Sequence, residues 1–309
     1  MILAAGLGTR LRPLTNLLPK PLAPIGDRPA IGHLVGMLRE AGSSRIVVNA
    51  HHLAPTMERF AESEAAVTLS IEGELLGTAG GVRRALDAGL VHDERLLVVN
   101  GDLFARLPLG ETMRASCDGV ARLLVSPARG RGNVGVDGRG RVVRLREESV
   151  ADGERSAFDY LGCALLGDRA LAALPRAGCL VGDVLLPLLR AGAHVEVQRF
   201  DGPWLDVGSL EAYLAANMTW LVDQNIGRFV GRGAQLHDAT VERSVVGVEA
   251  VLDSGAHIDR CVVWPGARVP AGSHSARIFA PGVPPIDVGG AAHSAVSQRP
   301  PSVSPKTPG

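Results

Sequence analysis

Three observations predict an α/β fold. Over the first hundred or so residues, short apolar runs alternate with amphipathic stretches of helical period. Leu96-Leu97-Val98-Val99 is apolar throughout, as strands buried on both faces of a parallel sheet are. From about residue 228 the apolar residues return at steps of about five or six. The first two features call for a Rossmann-like, mostly parallel mixed sheet flanked by helices. The third calls for a short C-terminal left-handed parallel β-helix.

Residues 1–5 read as a strand, 29–41 as an amphipathic helix and 45–49 as a second strand, the spacing of a right-handed crossover. The rhythm continues with a helix over 54–61, a strand over 67–72, a helix over 81–88 and a strand over 95–100. It then changes to hairpin-like pieces at 121–126, 133–136 and 142–145, separated by glycine-rich turns. A helix over 180–190 and a strand over 193–200 follow, and the first domain is expected to span 1–222. Over 228–281, Val230, Leu236, Val241, Val246, Leu252, Ile258, Val263 and Val269 miss a helical period and suit two to three β-helical coils. Residues 282–309 are rich in Pro, Ser and Gly; they bury too little surface to offset their ordering entropy and are expected to be disordered.

At 309 residues and 46% hydrophobic content, the chain can build one sizeable core and a smaller appended domain. The 32 basic and 32 acidic residues cancel and no basic run stands out, so a nucleic-acid surface lacks support and a small-molecule partner is favoured. No apolar run approaches the roughly 20 residues that cross a bilayer, and a cytoplasmic protein with no membrane partner is expected. Only Met1 to Ala5 precede Gly6, short for a central strand, so the chain is expected to start late. Cys117, Cys163, Cys179 and Cys261 stand singly, without metal or disulfide spacing, and read as buried free thiols. His51 and His52 lack a carboxylate or cysteine partner at ligand spacing and read as surface or structural residues. His237, His257 and His274 fall in the β-helix, where too few coils are expected to form an acyl-donor groove.

The chemistry concentrates near the amino terminus. A short apolar strand runs into a loop containing Gly6 and Gly8, followed by Arg10 and Lys20. Glycines let a polyanion approach exposed backbone N–H groups, and the two cations add fixed positive charge. That combination reads as a triphosphate cradle. A dinucleotide fingerprint would need a third glycine where this chain has Leu11, and a Walker A loop would need Gly-Lys-Ser/Thr where it has Gly8-Thr9-Arg10. Asn100-Gly101-Asp102 ends the strongest predicted strand, where ligands of open α/β sheets bind.

The amino-terminal segment closely resembles the signature of the sugar-1-phosphate nucleotidyltransferases, Gly-x-Gly-Thr-Arg-x-x-Pro-Leu-Thr followed by Pro-Lys-Pro-Leu. The match falls at Gly6, Gly8, Thr9, Arg10, Pro13, Leu14, Thr15, Pro19, Lys20, Pro21 and Leu22. Gly77-Thr78-Ala79-Gly80, Asn100-Gly101-Asp102 and Trp204-Leu205-Asp206-Val207-Gly208 resemble further family elements, in the family's order, over about residues 1–280. The resemblance implies a reaction in which a sugar-1-phosphate attacks the α-phosphorus of a nucleoside triphosphate and releases pyrophosphate. It implies Arg10, Lys20, Asp102 and Asp206 as catalytic residues and Mg²⁺ held by Asp102 and Asp206. Ala5, Gly6, Gly8, Thr9, Glu72, Gly77, Thr78 and Gly80 would bind the nucleotide, and Asn100, Gly132 and Glu147 the sugar. Glu72 and Glu74 lie where the family reads the base, and a carboxylate there suits guanine N1–H and N2–H₂; the bland alternative is that one or both face solvent. Residues 147–149 read Glu-Glu-Ser where the family has Glu-Lys-Pro, so Glu148 stands in the lysine's place and Arg144 or Arg146 is the expected substitute. The resemblance points first to the mannose-1-phosphate guanylyltransferase branch. Uridylyl or thymidylyl transfer to glucose or an amino sugar is the alternative, as is a non-catalytic regulatory subunit that binds nucleotide sugars. Exposed β-helix edges make a homo-oligomer an expected partner state.

Overall fold

The computed structural model describes residues 1–92, 94–117 and 119–288. Its contacts divide the chain into two compact units, one ending at Ala216 and the other beginning at Asn217, short of the expected boundary at 222. The division falls inside the helix Leu210–Asp223.

In the first unit, the strands Val67–Ile71, Ile46–Ala50, Ile2–Leu3 and Leu96–Asn100 lie side by side in that order, all parallel. The sheet is extended by Ser156–Leu166, which runs antiparallel to Leu96–Asn100, Ala121–Pro127 and Val134–Val136. Val142–Leu145 continues it beyond Val134–Val136, and Val195–Arg199 runs parallel to Ala121–Pro127. Successive side chains on a strand face opposite ways. Val47 and Val98 accordingly enter one core with Ala79, Val82 and Ala85 of the helix Gly77–Asp87. Val48 and Val99 enter another with Ile31, Leu34, Val35 and Leu38 of the helix Ala30–Glu40. Covering both faces explains why these strands are apolar without alternation.

Three expectations need correction. The helix expected over 81–88 begins at Gly77. The helix expected over 180–190 is a π-helical turn, Leu180–Leu185, followed by an α-helical piece, Leu186–Arg190. Pro187 has no N–H to offer the carbonyl of Asp183, which interrupts the regular ladder there. Finally, disorder is expected from residue 282, yet Val283–Asp287 forms a strand antiparallel to Arg277–Ala280 and Val288 is buried; residues 289–309 of that segment lie outside the described residues.

The second unit is a stack of short parallel strands. Phe229 pairs with Val245, Val245 with Val262, and Val262 with Ile278, so the chain returns to the same ladder on each lap. A second ladder joins Thr240–Glu242, Ala256–Asp259 and Gly272–Ser275, and a third joins Val251–Leu252 to Arg268–Val269. Val241, Val246, Leu252, Ile258, Val263 and Val269 are buried, whereas Val230 is exposed. Of the four cysteines, Cys163 and Cys261 are buried free thiols, while Cys117 and Cys179 are only half-buried. No helix among the described residues is long and apolar enough to cross a membrane.

Candidate active site

A cavity of about 190 Å³ opens at the carboxyl end of the strand Ile2–Leu3, lined by Gly6, Gly8, Thr9, Arg10, Lys20, Asp102 and Gly208 among others. Residues scattered along the sequence reach it for identifiable reasons. Gly101 N–H donates to the Leu3 carbonyl at 2.8 Å, and a Cβ on Gly101 would lie 2.9 Å from that oxygen, so only glycine lets the chain turn here. The turn delivers Asp102. The strand Leu103–Ala105 then pairs antiparallel with Trp204–Asp206, setting Asp206 opposite Leu103, and Val207 N–H donates to the Asp102 carbonyl at 2.8 Å. This small ladder is what brings the two aspartates together.

Lys20 Nζ donates to Asp102 Oδ2 at 2.6 Å and lies 3.8 Å from Asp206 Oδ1. Gly8 takes the left-handed conformation, with φ of 61°, and a Cβ there would lie 2.9 Å from both Lys20 Cβ and Thr15 Cγ2. Buried Thr15 donates its hydroxyl to the Gly8 carbonyl at 3.0 Å, and His52 Nε2 lies 2.9 Å from the Thr15 carbonyl. The glycine loop is thus fixed from behind, whereas on its open side a Cβ at Gly6 would meet nothing within 4 Å. Among the described residues, the amides of Gly6, Leu7, Gly8 and Thr9 have no partner within the chain. A row of such donors beside cations is suited to a polyanion.

The site is electrostatically divided. Arg10 lies against Gly208, where a Cβ would sit 2.7 Å from Nη2 of Arg10 and 3.0 Å from Asp206 Oδ1. Asp206 keeps 55% of its side-chain surface exposed. Desolvation first, and the neighbouring Asp102 charge second, nonetheless hold its carboxyl above the ordinary range, against the pull of Lys20 and Arg10. A pair of crowded carboxylates is what a further cation would relieve. Two protein carboxylates are too few to encage calcium. They do suit Mg²⁺, which keeps waters and takes its other oxygens from phosphate. No group of three or more metal-ligating side chains occurs among the described residues.

The other expected nucleotide residues are differently placed. Ala5 is buried beside the loop. Gly77, with φ of 73°, and Gly80 would each drive a Cβ into main chain, at 2.4 Å from the Gly178 carbonyl oxygen and 2.6 Å from that of Arg176. Ala79 N–H donates to the Gly178 carbonyl at 2.9 Å, and the Thr78 hydroxyl accepts from Leu180 N–H at 2.7 Å. These residues form a packing seam between two segments of the chain. Glu72 does not face the base side as an open carboxylate: it is 2% exposed, and its oxygens accept from Asn49 Nδ2 at 2.6 Å and Leu76 N–H at 3.3 Å. Glu74 remains exposed.

Asn100, Gly132 and Glu147 do not line the cavity. Asn100 packs against Gly162, where a Cβ would lie 2.4 Å from its Nδ2. Gly132 has φ of 67° and closely approaches the Phe158 carbonyl. Glu147 is exposed and paired with Arg131. Arg144 cannot replace the absent lysine: it is 3% exposed, bidentate to Glu154 at 2.8 and 2.9 Å, and donates to the Gly132 and Arg146 carbonyls. Arg146 is the exposed member of the two, with Nη2 2.9 Å from Cys179 Sγ. Glu148 is bound in both oxygens by Arg190, at 2.6 Å each, so the charge reversal at this position is locally compensated. Asn49, which holds the Ala4 amide, carried no signal that sequence reasoning assigned to function, and Thr15, which braces Gly8, stood in the signature without a role of its own.

The nucleotidyl transferase family matches residues 1–222. A probable mannose-1-phosphate guanylyltransferase 1 of Oryza sativa is 28% identical over 87% of this chain and 82% of its own length. A mannose-1-phosphate guanylyltransferase of Mycobacterium tuberculosis is 27% identical over 88% and 81%. A UTP–glucose-1-phosphate uridylyltransferase of Synechocystis is 26% identical over 70% of this chain, and the alignment spans only 61% of that protein. Among solved structures, HddC from Yersinia pseudotuberculosis complexed with GMP-PN superposes with a TM-score of 0.59 at 22% identity, over 71% of this chain and 97% of the other; this is a likeness of fold. With the match over 1–222 and these relatives, the chain belongs to the nucleotidyl transferase family, among its sugar-1-phosphate nucleotidyltransferases.

Proposed function

We propose that the protein joins a nucleoside triphosphate to a sugar-1-phosphate, releasing pyrophosphate, and that GTP and mannose-1-phosphate are its substrates. The observation that carries the reading is the meeting of Lys20, Asp102 and Asp206 beside the free amides of the glycine loop. An oxygen of the sugar phosphate attacks the α-phosphorus in line, and the bond to the leaving pyrophosphate breaks. Arg10 and the loop amides neutralise charge growing on pyrophosphate; Lys20 draws on the α-phosphate. Catalysis is then positioning and electrostatics, with no covalent enzyme intermediate. Asp102 and Asp206 would hold Mg²⁺, which supplies charge neutralisation at phosphate oxygens. Asn100, Gly132, Glu147 and exposed Arg146 are assigned to the sugar side.

Guanine is favoured by exposed Glu74, a carboxylate able to accept from N1–H and N2–H₂, and by the guanylyltransferases among the relatives. The Synechocystis relative supports uridylyl transfer to glucose as the second reading. We further assign a cytoplasmic location, a left hand to the C-terminal coil and self-association through its edges. Pyrophosphate release with Mg²⁺, across the four nucleoside triphosphates and several hexose-1-phosphates, tests the function. Release with GTP and mannose-1-phosphate is expected. Silence throughout, from folded protein, overturns the enzymatic reading.

A further inference from the structure

The buried pair beneath the glycine loop has a polarity that packing alone does not require. Glu72 and Asn49 are 2% and 3% exposed. Glu72 Oε1 accepts from Asn49 Nδ2 at 2.6 Å, and Asn49 Oδ1 accepts the Ala4 N–H at 2.6 Å. The other Glu72 oxygen accepts the Leu76 N–H at 3.3 Å. The Glu72 main chain is itself fixed, its N–H donating to the Ala50 carbonyl at 2.8 Å and its carbonyl lying 3.0 Å from His51 Nδ1. Gly81 makes the room: a Cβ there would lie 2.6 Å from Asn49 Nδ2 and 2.7 Å from Glu72 Oε1. One continuous chain of hydrogen bonds therefore runs from Leu76, at the start of the helix Gly77–Asp87, to Ala4, which lines the cavity just before Gly6.

We propose that Asn49 and Glu72 are positioning residues: Glu72 orients Asn49, Asn49 holds the Ala4 amide, and the pair sets the glycine loop for a triphosphate. This rests on the nucleotide reading of the cavity given above. A buried polar network whose every member is satisfied fixes geometry that an apolar pair of equal volume leaves soft. Asn49 has one orientation that serves both neighbours, oxygen to Ala4 and nitrogen to Glu72. The pair acts on nucleotide affinity, not on the sugar-1-phosphate.

The polarity can be reversed without changing the pair's charge, which gives the test. Asn49→Asp faces two carboxylates on each other; Glu72→Gln leaves either Asn49 or Leu76 without its acceptor. In the double variant, the introduced glutamine donates to the introduced aspartate, which still accepts from Ala4. Calorimetric titration of the full-length protein with Mg²⁺ and GTP, UTP or inorganic triphosphate is combined with steady-state kinetics and melting curves, at temperatures where circular dichroism shows a native fold. Each single variant is expected to weaken triphosphate binding about tenfold or more and to raise KM for the nucleotide, with KM for the sugar-1-phosphate unchanged. The double variant is expected to recover to within about threefold of wild type. Folded single variants that bind as tightly as wild type overturn the proposal. So does a folded double variant that binds no better than the weaker single, a result that stands even where a single variant fails to fold. A wild-type protein that binds none of the three probes overturns the reading of the cavity itself, and the relay with it.

Discussion

The two glycine elements of this chain use the same residue for opposite ends. Gly6 and Gly8 belong to a loop whose front is open: nothing would touch a Cβ at Gly6, and the local amides have no partner among the described residues. Gly77 and Gly80 belong to a seam where another stretch of backbone already fills the space, with the carbonyl oxygens of Gly178 and Arg176 at 2.4 and 2.6 Å from the missing Cβ atoms. At Gly6 the absent side chain leaves room for a ligand; at Gly77 and Gly80, as at Gly8 against Lys20 and Thr15, it leaves room for the protein. A glycine-rich motif is a statement about backbone approach, and the approaching group is decided by tertiary structure.

Substitutions sharpen the contrast. The largest effect is expected on the open side, from Asp102→Asn. Loss of a carboxylate that contacts Lys20 and is assigned to the metal should raise the barrier by about 3 kcal/mol, over a hundredfold in kcat, with little change in melting temperature. Stopped or coupled pyrophosphate assays measure this. Gly80→Ala is expected to act on stability, because main chain cannot give way: about 1–3 kcal/mol of overpacking, seen as a melting temperature lower by several degrees. Gly6→Ala should do the reverse, leaving stability within about 0.5 kcal/mol while raising KM for the nucleotide about tenfold. Equal losses of stability from both alanines would erase the distinction.

The smallest expected change is a gain. The carboxyl of Asp206 is held above its usual 3.8, so its protonation favours the folded state; that contribution is full below pH 3.8 and is lost as pH rises through the elevated value. Asp206→Asn should therefore melt no lower than wild type near neutral pH in the absence of divalent cations, and slightly higher, while activity is lost. With 55% of this side chain exposed, solvent screening keeps the gain small. A clear fall in melting temperature would show that Asp206 stabilises the fold and is not strained by its neighbours.

What the sequence made legible follows from how local each requirement is. The cradle was readable because Gly6, Gly8, Arg10 and Lys20 lie within one short stretch, and Asp102 because it ends an unmistakably buried strand. The approach of Asp206 was not derivable from spacing, since it depends on the short pairing of Leu103–Ala105 with Trp204–Asp206. The long central strand Ser156–Leu166 went unread because Gly162, with φ of 75°, interrupts its pattern, and its register shifts between Tyr160 and Ala164. The fates of Glu72 and Arg144 are side-chain pairings across the sheet and between hairpins, which no periodicity encodes.

Hydrogen–deuterium exchange read by mass spectrometry, with Mg²⁺ and each nucleoside triphosphate in turn, tests most directly whether the open glycine loop is the triphosphate cradle. Added nucleotide is expected to slow exchange strongly in peptides covering residues 4–12, where the amides of Gly6, Leu7, Gly8 and Thr9 are unpartnered, and much less across residues 79–82, whose backbone is already engaged. Protection elsewhere, with exchange over 4–12 unchanged, would contradict the assignment.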